Sequence, residues 1–203
     1  MTNKIVLGVL AGIVLVVIIL GFTVAGTYNS LVTLDQGAQA QWGQVQNVYQ
    51  RRADLVPNLV NTVKGAANFE QQTLTAVTQA RAQVGQVTQG AIENIARDPQ
   101  AFQRFQQAQD GLSSALSRLM VVAERYPELK ATQNFRDLQV QLEGTENRIT
   151  VERMRFNETA QAFNTRRESF PTVVIAGFFG NRFQTKPYFQ AAAGAEKAPE
   201  VKF

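Results

Sequence analysis

Apolar residues fill the chain from Ile5 to Ala25 (IVLGVLAGIVLVVIILGFTVA), and no charged side chain occurs between Lys4 and Asp35. At about 1.5 Å per residue, a helix of this length spans roughly 30 Å, the thickness of a bilayer's hydrocarbon core. The alternative is a cleaved signal peptide with Thr23-x-Ala25 as its processing site. The apolar region of such peptides runs to about 15 residues, and this one is longer. The pattern therefore predicts a retained single-pass transmembrane helix.

Past Tyr28 the apolar positions change to helical spacing. Ala38, Trp42, Val45, Tyr49, Val56, Leu59 and Val63 recur at intervals of three, four or seven, one stripe of a long helix continuous with the span. Pro57 removes a helix hydrogen bond and predicts a kink or local irregularity. Gly65 and Asn68 offer a stop, and a second stripe within Phe69 to Ala96 holds Leu74, Val77, Ala80, Val84, Val87 and Ala91. Asp98-Pro99 is a helix start, with Asp as N-cap and Pro at the first helical position. A third stripe, from Phe102 and Phe105 through Leu112, Leu116 and Leu119 to Tyr126, ends at Pro127. The fourth is the most regular: Phe135, Leu142, Ile149, Phe156 and Phe163 fall seven apart, with Leu138 alongside.

Strand signals are nearly absent before residue 171. The prediction is an all-α protein. A single N-terminal transmembrane helix continues into an antiparallel four-helix bundle with long helices, and an apolar C-terminal segment follows. Residues 1–27 form the N-terminal tip and transmembrane helix, 28–168 the bundle, and 169–203 an apolar interfacial segment with a loose tail after Gln190.

Three sets of residues stand out within this plan. Arg52 lies on the apolar stripe, so it should point inward and want a carboxylate. If Ala66 sits level with Ala131, Arg52 sits near Thr145, making Glu146 the best-placed partner and Glu143 the second. Such groups in bundles usually fix register, so Arg52, Glu143 and Glu146 are expected to form a structural polar network. Gly8 and Gly12 form a GxxxG that lets membrane helices pack closely. Finally, Phe170 to Phe183 (FPTVVIAGFFGNRF) is too short to span a bilayer, and arginines flank it. Helix four returns to the membrane level there, so Arg166, Arg167, Phe170, Phe178, Phe179 and Phe183 are expected at the lipid interface, or else packed on the base of the bundle or against a neighbouring subunit.

Composition narrows the chemistry. The 203 residues include no His and no Cys, and 20 Lys plus Arg against 16 Asp plus Glu give +4. The usual zinc sites, cysteine nucleophiles, Ser-His-Asp triads, His-ligated haem, disulfides and lipoprotein acylation are excluded. Di-iron bundles need Glu-x-x-His pairs, and phosphate loops, dinucleotide fingerprints and EF-hand loops are missing as well. No cofactor, metal site or enzymatic activity is expected. The basic excess is spread along the helices, which argues against a nucleic-acid partner. Thr27 to Gln50 holds no Lys or Arg, whereas Lys4 and the terminal amine precede the span. The positive-inside rule then places the N-terminus in the cytoplasm and the bundle outside.

Assembled in order, these stretches resemble the LemA family of bacterial membrane proteins. The likeness is carried by YNSLVTLD (28–35), QW (41–42), RRADLVPNLVNTVKG (51–65), ALSRLM with ERYPELKA (115–131) and NFRDLQVQLEGTENRIT (134–150). RxxFN (153–157), SFPTVVIAGFFG (169–180), PYFQA and the closing APEVKF continue it. Gly37, Gly43 and the Gln-rich stretches are mild departures. The resemblance implies one N-terminal helix in the bacterial cytoplasmic membrane leading into a long-helix antiparallel bundle, and it transfers no catalytic positions.

The expected function is a non-catalytic, membrane-anchored scaffold of the cell envelope that self-associates or presents its bundle to partners. Membrane lipid, further copies of the chain and an envelope membrane protein are the partners this implies. An adaptor or regulator of another membrane protein, such as a protease or sensor, is the alternative, and a carboxylate-based hydrolase is the reading from another class.

Overall fold

The computed structural model describes residues 2–65, 70–91 and 95–190. Among them the regular structure is entirely helical: α1 (Thr2–Lys64), α2 (Gln71–Ala91), α3 (Pro99–Ala123), α4 (Pro127–Ala131), α5 (Gln133–Glu168) and α6 (Thr172–Phe178), then a 3-10 turn at Gly180–Phe183. Of the sequence expectations, the levels of Ala66, Asn68 and Phe69, the side chain of Ala91 and the loose tail after Gln190 lie outside the described residues.

Helix α1 is 63 residues long, which corresponds to about 95 Å. Its residues 5–26 are exposed throughout, and it is the one helix among those described that is long and apolar enough to cross a membrane. Burial begins at Thr27 and continues with Leu31.

The irregularity expected at Pro57 is local, and α1 runs through it. Proline cannot donate to the carbonyl four residues back, that of Ala53. Arg81 of α2 fills the gap, its Nε donating to the Ala53 oxygen at 3.0 Å. The helix is mended from outside.

Other boundaries follow local chemistry. Asp98 caps α3 by accepting from the Gln100 amide at 2.8 Å, with Pro99 in the first turn. Pro127 opens α4, where its missing N–H costs nothing.

Apolar side chains gather in three layers along α1. Nearest the exposed span, Leu31 meets Phe163, Ala176 and Phe183. A middle, aromatic layer joins Trp42 and Tyr49 of α1 to Phe102 and Phe105 of α3 and Phe156 of α5. The far layer is aliphatic and draws on five helices, including Leu59, Val77, Leu119, Leu129 and Leu142. All five heptad residues of α5, Phe135 to Phe163, are buried. Helix α1 packs most extensively on α5 and α2 on α3. Large rings fill the middle layer, Trp42 lying 5.2 Å from Phe105 and 5.4 Å from Phe156 between centroids.

Candidate functional site

Two buried polar layers separate the three apolar ones. Between the aliphatic and aromatic layers, Arg52 is 1% exposed. Its Nη1 donates to Glu146 Oε1 at 2.7 Å and to Ser113 Oγ at 2.6 Å. Its Nη2 donates to both the main-chain and side-chain oxygens of Gln109, itself buried. The guanidinium also lies 5.1 Å from the Tyr49 ring centroid. One arginine on α1 thus holds α3 and α5. Glu143 does not join it; its carboxylate accepts from Gln139 at 3.0 Å on the exposed face. Beside this layer a groove of about 670 Å³ runs between α3 and α5, with Ser113, Glu143, Glu146 and Asn147 on its walls.

Tyr49 extends the layer. Its hydroxyl accepts from Arg153 Nε at 2.6 Å, and Arg153 Nη2 reaches Asp110 Oδ1 at 3.0 Å. Burial pushes the Tyr49 phenol above its ordinary range, and the nearby Arg153 and Arg52 charges only partly offset this. For Arg153, burial works against the charged form, but Tyr49 and Asp110 outweigh it, so the guanidinium titrates higher than usual.

The second polar layer was not anticipated. Asp35 is 4% exposed, and it pairs with Lys186, equally buried, from the segment that follows the 3-10 turn. Arg97 Nη2 reaches the other Asp35 oxygen at 3.1 Å, and Gln39 donates to that oxygen at 2.7 Å. Lys186 Nζ sits 5.0 Å from the Phe163 ring centroid.

Residues 184–190 form an extended strap over α5. Asn164 accepts from the Lys186 amide at 2.8 Å and donates to its carbonyl at 2.9 Å. Asn157 does the same for Phe189, at 2.9 and 3.0 Å. Each asparagine amide pairs with a peptide group as a neighbouring strand would. Phe189 then drops into the aromatic layer, 4.7 Å from Phe102 and 6.1 Å from Trp42 between centroids. A signal existed in the sequence: Phe156-Asn157 and Phe163-Asn164 repeat the same pair seven residues apart, two turns of α5.

The residues expected at the interface divide. Phe170 and Phe178 are 82% and 85% exposed, and Phe179 and Arg166 are exposed too. Arg167 is half-buried and donates to the Phe183 carbonyl. Phe183 takes the packed alternative: it is 1% exposed and belongs to the innermost layer, 5.6 Å from the Tyr28 ring and 6.5 Å from Phe163. The cause is the glycine turn before it, where Gly180 has φ +53°, a left-handed conformation that reverses the chain toward the core. Gly8 and Gly12 face open space along α1. Among the described residues no cluster of three or more acidic side chains could hold a metal ion.

Comparison with known proteins follows the same lines. Magnetosome protein MamQ of Magnetospirillum gryphiswaldense is 27% identical over 176 residues, covering 80% of this chain. Magnetosome protein MamQ 1 of Paramagnetospirillum magneticum is 27% identical over 177 residues, again 80% of this chain. Protein LemA of Metamycoplasma hominis is 24% identical over 155 residues, 76% of this chain and 66% of that protein. The chain spans 64% of the length of the MamQ proteins. The model of the LemA family matches residues 41–203, which contain the whole Arg52 layer, Arg97 and Lys186 of the second layer, and the strap. The chain therefore belongs to the LemA family.

Proposed function

We propose that this chain is a non-catalytic, single-pass scaffold of the bacterial cytoplasmic membrane. In this reading α1, α2, α3 and α5 form an antiparallel four-helix bundle outside the cytoplasm, held on one membrane helix with its N-terminus inside. Contacts such as Gln41 with Glu152 and Arg52 with Glu146, whose numbers rise along α1 and fall along α5, support the antiparallel arrangement. The observation that carries the proposal is the unbroken α1. No loop separates the apolar segment from the packed body, so any tilt or rotation of the span is transmitted directly. Buried polar groups that fix register, in place of a cleft lined for chemistry, suit a protein whose function is contact.

Self-association through the Gly8–Gly12 face and the body is the expected mode. The test is the mass of the full-length protein extracted in mild detergent from native membrane. An assembly larger than the monomer, reduced in Gly12→Leu, supports the scaffold. A monomer at micromolar concentration ends it, and a monomer carrying a second membrane protein in fixed ratio supports the adaptor reading.

A further inference from the structure

The outward side of α6 is apolar without interruption. Thr172, Ile175 and Ala176 point into the core, leaving Val173, Val174 and Phe178 outside, with Phe170 just before them. Such a patch on a soluble body calls for an explanation. Its location supplies one. Phe179 stacks 4.9 Å from Tyr28 and Phe183 lies 5.6 Å from it, so α6 sits level with residues 28–31 of α1. Tyr28 and Leu31 are three and six residues beyond the apolar run that ends at Ala25, or about 4.5 and 9 Å along the axis. The headgroup layer on each side of the hydrocarbon core is about 5–8 Å thick. Helix α6 therefore lies at the level of that layer, from which an amphipathic helix can bury its apolar side toward the acyl chains.

The charges agree. Arg166 and Arg182, which flank this face in sequence, are exposed and Arg167 is half-exposed, and among the described residues from 164 to 190 the one carboxylate is Glu168, also exposed. Arg182 is held with its guanidinium 5.8 Å from the Tyr28 ring centroid, and the Tyr28 ring itself occupies the level where aromatic side chains favour a membrane boundary.

We propose that α6 and the flanking Phe170 form an in-plane foot: an apolar face immersed in the outer leaflet that surrounds the α1 span, with Arg166 and Arg182 on anionic headgroups. This rests on the reading that α1 crosses a bilayer. The foot and the span together would fix the body against the membrane at two places instead of one.

The absence of native cysteine makes the test clean. Full-length single-cysteine variants Phe178→Cys and Val174→Cys, with Val14→Cys in the span and Val140→Cys on the body as references, carry a nitroxide. They are reconstituted in phosphatidylcholine vesicles with and without phosphatidylglycerol. Collision rates with oxygen and with a water-soluble nickel chelate give the depth of each label. Labels at 178 and 174 should favour oxygen, as at 14 and opposite to 140, and should lie deeper when phosphatidylglycerol is present. Arg166→Gln with Arg182→Gln should abolish that lipid dependence. Nickel-favoured labels at 178 and 174 with an oxygen-favoured label at 14 would overturn the foot and leave the span standing; a nickel-favoured label at 14 would remove both. Spin–spin broadening at 178 would assign the face to a second copy and also overturn the proposal. Equal depth in the two lipids would remove the arginines' role.

Discussion

Arg81 Nε donates to the Ala53 carbonyl at 3.0 Å, the carbonyl left without a donor because residue 57 is proline. A side chain on α2 thus repairs the backbone of α1, so the two helices are linked through a defect in one of them. A double-mutant cycle should detect it. Arg81→Ala is expected to cost about 1 kcal/mol in the native chain, the usual worth of one hydrogen bond. In a Pro57→Ala background the new amide takes over the carbonyl, and the same substitution should cost close to nothing. Denaturant midpoints give the four values, and equal costs in both backgrounds would refute the coupling.

The Arg52 layer predicts an ordering. Glu146→Gln leaves a buried guanidinium with neutral partners only, so it should destabilise by about 2–4 kcal/mol, more than Arg52→Met, which removes the charge and keeps most of the volume. Glu143→Gln should stay within about 0.5 kcal/mol, since that carboxylate is on the exposed face. Thermal unfolding in detergent would rank the three. A cost at Glu143 equal to that at Glu146 would place both in the network after all.

The strap offers a different readout. Asn164→Ala removes two hydrogen bonds to the main chain of Lys186 and one to the Tyr188 hydroxyl, and Asn157→Ala removes two to the main chain of Phe189. Each should cost about 1–3 kcal/mol. Amide exchange should accelerate across residues 184–190 while α3 stays protected. If exchange quickened equally everywhere, the strap would be no separate unit.

Much of this plan was legible in the chain, for a physical reason. The heptad of α5 reports burial directly, because one side of a helix faces the core every two turns, and Phe135 through Phe163 are buried as spaced. Arg52 was legible because a charge on an apolar stripe needs a partner. Pro57 announced a lost helix hydrogen bond, but the replacement comes from Arg81, which proximity in sequence cannot reveal. The strap was missed because KPYF has no periodicity of its own. Its peptide groups are bound by asparagine side chains on a helix and not by a ladder, and only the repeated Phe-Asn pair recorded it. Whether Phe183 meets lipid or the base of the bundle was not legible, because apolar content alone does not say which way a segment turns after Gly180.

Alkaline pH should expose the Tyr49 site. Its phenol is raised by burial, so the folded state holds its proton when the unfolded chain, with an ordinary value of about 10, has released it. Above that pH the unfolded state binds fewer protons, and stability falls as pH rises. The contribution is fully present below about pH 10 and lost on approach to the folded value. Tyr49→Phe should flatten this alkaline slope without altering the profile between pH 6 and pH 9. An unchanged slope would show that another group sets it.

The pairing of Asp35 with Lys186 joins positions 151 residues apart, and this bears on the order in which the molecule is completed. Helix α1 is made well before the strap. Until Lys186 and Phe189 arrive, Asp35 has no lysine and the aromatic layer lacks one wall. The long closure that brings them together, like that between Tyr28 and Phe183, carries a large loop entropy. A chain cut before residue 184 is thus an unfinished core with an acidic notch and an uncovered aromatic wall.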